Sequence, residues 1–272
     1  MAINPHDHIR LEGYDDHTSA PHEHLPVVQN GEAIFRGHER AAYFVGLVAL
    51  CGEEYLPEAY LAARQLRFQK YNTLGWLPNS AREADGGERD QDDSRSAQFA
   101  VVSNEKDGVV RVIATSRLIL KDVEPVRPLP VEVHFPEAFT DRQITLRDTE
   151  ASRMISDSKD RKERALATFA CHRAMVGWGV ANGYNRANAI AEEWLLDRFD
   201  VTNLPYEQLA DYRPIDEYGG TRNTAIQIDP QQLIRKTRIG SLAVPLTTSL
   251  FFRGVRRNRG LGHYNSSFLW RY

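Results

Sequence analysis

The sequence has few cysteines, no long apolar run and almost no net charge, and each shortage excludes a class of protein. Its two cysteines, Cys51 and Cys171, lie far apart and without Cys-x-x-Cys spacing. They build neither a disulfide framework nor a thiolate zinc site, and they suit a reducing, cytoplasmic compartment. The longest apolar run, Ala41–Cys51, is about half the length that a membrane-crossing helix needs. Residues 1–23 are polar and acidic, unlike a secretory leader with its apolar centre. A net charge of -3 gives no electrostatic case for nucleic acid as the main partner. No internal repeat is visible.

What remains is an ordinary globular composition. Over 272 residues a hydrophobic share of 42% supplies a real core, and 26% charged residues of both signs supply its surface. Residues 1–37 read as a mobile N-terminal arm. His6, His8, His17, His22 and His24 fall there, but no acidic or cysteine set at fixed spacing completes a ligand shell, so no metal is expected. Residues 38–232 read as one domain. Residues 233–272 form a basic extension, since Arg235–Tyr272 contains no acidic residue.

Inside the domain the two hydrophobic periodicities alternate. Tyr43–Leu50 reads as a strand and Pro57–Asn72 as a helix with proline in its first turn, its stripe running along Leu61, Gln65, Phe68 and Asn72. Asn79–Ser96 is a polar loop. Gln98–Val102 and Val109–Leu120 read as a hairpin around Lys106-Asp107-Gly108, and the Pro-rich stretch 125–136 as an irregular connection. Gln143–Ser156 contains a strand, and Asp160–Asn182 is a helix closed by Gly183. Ala187–Ala191 and Glu192–Phe199 give a strand and a short helix, and Pro205–Tyr212 and Thr221–Ile228 two last strands. This order predicts an α/β (α+β) fold around a single mixed sheet.

Three separated segments put charge in unusual settings. Arg67 and Tyr71 lie on the first helix, with Trp76 just beyond. Glu88, Asp90 and Asp93 lie in the loop. Glu150, Ser152 and Arg153 lie within a strand that is otherwise apolar enough to be buried. Unpaired buried charge costs several kcal/mol, so these groups need partners. Strand alternation puts Glu150, Ser152 and Met154 on one face and Ala151, Arg153 and Ile155 on the other. Each group also has an ordinary explanation: a solvated acidic loop, a surface ion pair at Arg67, a core plug at Trp76, a structural pair at Glu150.

In order and spacing these segments resemble the acyl-homoserine-lactone synthases. The matching residues are Arg67, Tyr71 and Trp76, then Glu88, Asp90 and Asp93, then Arg117, Phe135, Glu150, Ser152 and Arg153, across roughly 43–230. The sequence departs from that pattern in having Tyr71 in place of phenylalanine, a shorter gap to Trp76 and a longer loop before Glu88. The resemblance implies a GNAT-like twisted mixed sheet flanked by helices, its central strands splayed to admit a thioester. It implies S-adenosylmethionine as acceptor and acyl-carrier protein or acyl-CoA as donor, both of them substrates, with no tightly bound cofactor. Arg67, Tyr71, Trp76, Asp90, Asp93, Arg117 and Phe135 would then surround the acceptor, and Glu150, Ser152 and Arg153 would be catalytic. An α-amino group has a pKa of about 8, so deprotonating it at neutral pH costs only ~1.4 kcal/mol, and Glu150 acting through a water suffices.

Donor recognition is less clearly written. The junction after the catalytic strand, Ser156–Lys162, has no glycine, unlike the usual coenzyme A signal. Lys159, Arg161, Lys162 and Arg164 make a basic helix start that suits an acidic carrier protein, or else a solvated first turn. Leu118, Met154, Met175 and Trp178 are candidates for an acyl pocket, or plain core.

Overall fold

The computed structural model describes residues 10–11, 32–36, 42–50, 53–54, 57–104, 109–158, 161–201 and 204–233. The elements in chain order are β1 Arg10–Leu11, β2 Glu32–Arg36, β3 Ala42–Leu50, β4 Glu53–Glu54, α1 Pro57–Thr73, β5 Ser96–Asn104, β6 Val109–Leu120, α2 Pro130–His134, β7 Asp148–Ser156, α3 Arg161–Ala181, β8 Arg186–Glu192, α4 Glu193–Val201, β9 Glu207–Gln208, β10 Arg213–Ile215 and β11 Thr221–Ile228. They belong to two compact units. The first comprises the described parts of Met1–Arg117 and Arg153–Ala174, and the second those of Leu118–Ser152 and Met175–Tyr264.

In the first unit the strand order is β7, β6, β5, β3, β2. β3 runs antiparallel to β2 and β5, and β1 adds in parallel to the start of β6. Part of the stretch read as an arm is thus strand: Glu32–Arg36 pairs with β3, from Glu32 opposite Val45 to Arg36 opposite Ala42. The turn at 106–108 and the extension from 234 onward lie outside the described residues, as do the five N-terminal histidines.

α1 begins on Pro57, whose missing N–H costs nothing at a helix start. Tyr60, Arg64, Arg67 and Tyr71 recur at helical spacing and are all buried, so two arginines lie on the inward stripe; of the four residues along the neighbouring side, Phe68 is buried and Leu61, Gln65 and Asn72 are half-buried. Ala59, Ala62, Ala63 and Leu66 pack beside that stripe with Ala100, Val112 and Ile155.

In the second unit the order is β10, β11, β8, β7, β6. β8 is antiparallel to β11 and parallel to β7. The β7–β8 register runs only from Asp148 opposite Arg186 to Glu150 opposite Asn188, although both strands continue. The strands therefore splay beyond Glu150. Asn188 pins the point of divergence: its amide donates to the Thr149 carbonyl at 3.2 Å and accepts from Gln227 at 3.0 Å.

The Pro-rich connection is more regular than expected. α2 forms there with Pro130 in its first turn, and the Glu132 carboxylate returns to the Leu129 N–H at 2.7 Å. The strand expected over Pro205–Tyr212 reduces to Glu207–Gln208, with Arg213–Ile215 forming a separate edge strand. α3 matches its expected span closely and buries Ala167, Ala170, Cys171, Ala174 and Trp178 at helical spacing. Gly183 follows at φ 79°, a left-handed turn that glycine adopts without a Cβ penalty. No helix among the described residues is long and apolar enough to cross a membrane.

Candidate functional site

α1, the following loop and strands β5 to β7 of the first unit bring one charged network together. Arg67 on α1 donates from Nε to Glu88 Oε1 at 2.7 Å and from Nη1 and Nη2 to the two Asp93 oxygens at 2.9 and 3.0 Å. Arg117 on β6 donates from Nη1 to Asp93 Oδ1 at 2.8 Å and grips Asp90 with both Nη atoms at 2.6 and 2.7 Å. Arg153 on β7 reaches Asp90 Oδ2 at 3.0 Å and places Nε 3.1 Å from Glu88 Oε1. That last contact is an ion pair without hydrogen-bond alignment, for Nε finds no acceptor in line. Three guanidinium groups thus face three carboxylates, and the set is formally neutral.

Asp93 is its centre. Besides both arginines it accepts the Gln98 amide at 2.7 Å and the Asp90 N–H at 3.1 Å, which uses every lone-pair direction a carboxylate has. Burial alone would favour the neutral acid, but Arg67 and then Arg117 hold the Asp93 carboxyl far below the usual carboxylate range. Burial opposes ionisation of Asp90 too, and Arg117 overcomes it, lowering that carboxyl to about 2. Burial would likewise discharge Arg67 and Arg117, but the acids around them raise both above the ordinary arginine value. Asp90, Asp93, Arg67 and Arg117 are therefore charged at neutral pH.

Exposure grades across the network. The Arg67 and Asp93 side chains are 1% and 2% exposed, whereas Asp90 and Arg153 reach 23% and 18%. The Arg153 guanidinium lies over the Tyr71 ring, 5.1 Å from its centroid, and Tyr71 stacks on Trp76 at 5.3 Å. The partly accessible rim thus consists of Asp90, Arg153 and Trp76, with the buried Tyr71 ring stacked behind Trp76. Arg153 adopts φ 54°, a left-handed conformation uncommon outside glycine. Nothing in the sequence marks that conformation.

Of the residues singled out from the sequence, Arg67, Tyr71, Trp76, Glu88, Asp90, Asp93, Arg117 and Arg153 therefore meet in the first unit. Met154 belongs to this unit and is half-buried, and Arg164 is exposed, with Nε and Nη2 on the Ser158 carbonyl. Arg161 and Lys162 fall in the first turn of α3, and Lys159 lies outside the described residues.

The others lie in the second unit. Glu150 is buried, and its Oε2 accepts the Val131 N–H at 2.8 Å, fixing the start of α2. Phe135 is fully buried and carries the Arg213 guanidinium 4.2 Å above its ring. Leu118, Met175 and Trp178 are buried, with Trp178 stacked on Tyr184, and Ser152 is half-buried.

Sequence reasoning missed Gln98, whose signal was its being the one polar residue in the apolar run Ala97–Val102. It also missed the buried Asp92–Arg95 pair at 2.7 Å, which its i, i+3 spacing announced. No cluster of His, Cys, Asp and Glu able to hold a metal occurs among the described residues.

No family model and no curated protein matches the sequence. Solved structures do match the fold. The acyl-homoserine-lactone synthase LasI superposes with a TM-score of 0.53 at 16% identity, over 70% of this chain and 90% of its own. TofI, in a ternary complex with an inhibitor and MTA, gives 0.50 at 20% identity over 69% and 91%. BjaI, a CoA-dependent acyl-homoserine-lactone synthase with SAM and isopentyl-CoA, gives 0.50 at 20% identity over 72% and 92%. The splayed mixed sheet described above is thus the GNAT-like fold of the acyl-homoserine-lactone synthases.

Proposed function

We propose that the chain is an N-acyltransferase that makes acyl-homoserine lactone from S-adenosylmethionine and an acyl thioester, for quorum sensing in the cytoplasm. The observation that carries this reading is the network around Asp93, whose accessible rim of Asp90, Arg153 and Trp76, backed by the Tyr71 ring, offers one anion, one cation and an aromatic surface. An acceptor that holds a sulfonium, an ammonium, a carboxylate and an adenine needs such a mixture. Asp93, Arg67 and Arg117 act behind the rim. Their lone pairs and donors serve one another, so they position Asp90 and Arg153 rather than touch the acceptor. Phe135, in the second unit, is assigned to the acceptor as well.

The chemistry asks for little beyond placement. The amine attacks the thioester carbonyl and loses a proton, for which Glu150 with an intervening water is the assigned base, aided by Ser152; the C–S bond then breaks and the donor leaves as its free thiol. The carboxylate then displaces the thioether from the γ-carbon, closing the lactone and releasing methylthioadenosine. Holding amine and carbonyl in contact supplies most of the acceleration. Leu118, Met154, Met175 and Trp178 are assigned to the acyl chain. Lys159, Arg161, Lys162 and Arg164 are assigned to the donor, either an acyl-carrier protein or acyl-CoA.

The test is to incubate purified protein with S-adenosylmethionine and a panel of acyl-CoA and acyl-carrier thioesters, then follow products by mass spectrometry. Acylated homoserine lactone formed in step with methylthioadenosine is the expected result. An acylated amino acid without methylthioadenosine would replace the acceptor, and no acyl transfer from any donor would remove the reading.

A further inference from the structure

The loop before Glu88 is fastened to α1 by groups outside the charged network. Arg64 lies three residues before Arg67 on the same buried stripe of α1 and is itself only 4% exposed. Its Nε donates to the Glu88 carbonyl at 2.8 Å, while the Glu88 N–H donates to the Arg64 carbonyl at 3.3 Å. Its Nη1 and Nη2 take the two Asp85 oxygens at 2.6 and 3.4 Å. Asp85 Oδ1 also accepts the Gly87 N–H at 3.0 Å, and the Asp85 carbonyl accepts the Gln65 amide at 2.8 Å. Gly87 meanwhile lies flat on the helix: a Cβ there would come 2.9 Å from Arg64 Cβ and 3.4 Å from the Arg64 carbonyl carbon. Contacts below 3 Å between such atoms force the backbone apart.

We propose that Arg64, Asp85 and Gly87 form a clasp that holds the Glu88 main chain on α1, so that its carboxylate arrives between Arg67 and Arg153. Successive residues of one helical stripe divide the work, Arg64 holding the backbone of Glu88 and Arg67 its side chain. The three are positioning residues for the acceptor rim, and in that respect the inference rests on the function proposed above. The clasp itself is a property of the fold and can be tested separately.

The experiment compares full-length wild type with Gly87→Ala, Glu88→Gln and the double variant, by urea unfolding and by S-adenosylmethionine kinetics. Asp85→Asn, which weakens the grip without a steric clash, replaces Gly87→Ala should that variant not fold. With a clasp, the first substitution already displaces Glu88, so the unfolding-midpoint shifts of the two single variants do not add in the double. In turnover, the clasp variant raises the KM for S-adenosylmethionine about tenfold, as for one lost charge-assisted hydrogen bond, and leaves the KM for the acyl donor unchanged. Additive midpoints, or a fall in kcat with both KM values kept, would overturn the clasp. Coupled midpoints in a protein that turns over no S-adenosylmethionine would keep the clasp and remove only the assigned acceptor.

Discussion

Around Asp93 the first unit sets three arginines against three carboxylates, with Arg67, Arg117, Glu88 and Asp93 buried and Asp90 and Arg153 partly exposed. Around Phe135 the second unit buries Ile119, Leu129, Val131, Ile215 and Ala225, with one arginine, Arg213, laid on the ring and itself 40% exposed. Both interiors exclude water, but they do so at opposite energetic signs. Each large apolar side chain of the second adds about 1.5–3 kcal/mol by leaving water. The charges of the first recover by pairing what desolvation costs, and apolar residues of the same shape would often be as stable or more so. An interior of the second kind holds a fold, whereas one of the first kind fixes directions: the Arg67 and Arg117 guanidinium planes are each set by two carboxylates. We read that as the reason it sits under the proposed acceptor rim.

Breaking the charged interior has the largest expected effect. Asp93→Ala leaves Arg67 and Arg117 buried without their shared partner and should destabilise by about 3–5 kcal/mol in urea unfolding. Leu129→Ala is the matching cut in the apolar interior. It removes a fully buried side chain and should cost about 2–5 kcal/mol, with no change in acid sensitivity.

Acid sharpens the same contrast. Asp90 and Asp93 titrate below their unfolded values, so the stability they contribute is fully present above about pH 4; the Asp90 share drains as pH falls through about 2, and the Asp93 share only in stronger acid. Acid unfolding should therefore become shallower in an Asp90→Asn variant than in wild type. The smallest effect is expected at the surface, where Arg222 and Glu193 pair at 3.1 Å with both side chains largely in water. Arg222→Ala should shift stability by no more than about 1 kcal/mol, less in high salt.

How far the sequence revealed all this depended on the range of the signal. α1 and α3 were legible because proline at the start of one and glycine after the other are local marks. α2 carried equally local marks, Pro130 followed by Glu132, hidden by the prolines around them. The buried stripe of α1 was not legible because Arg64 and Arg67 reverse the rule that the charged face looks outward. That reversal needs partners some 20 to 30 residues away, such as Glu88 and Gln98, and no periodicity within α1 registers them. The charged members of the network were found only as an ordered set resembling a family. The left-handed turn at Arg153 and the close approach of Gly87 to α1 left no mark that one sequence can show.

Calorimetric titration of S-adenosylmethionine into wild type and Arg153→Ala tests the central claim most directly. Arg153 is the most exposed of the three arginines, so the variant keeps the Asp93 pairs and its unfolding midpoint can be checked in parallel. Wild type should bind, and the variant should bind at least about tenfold more weakly while remaining folded. Equal affinity in the two proteins would contradict the placement of the acceptor on this rim.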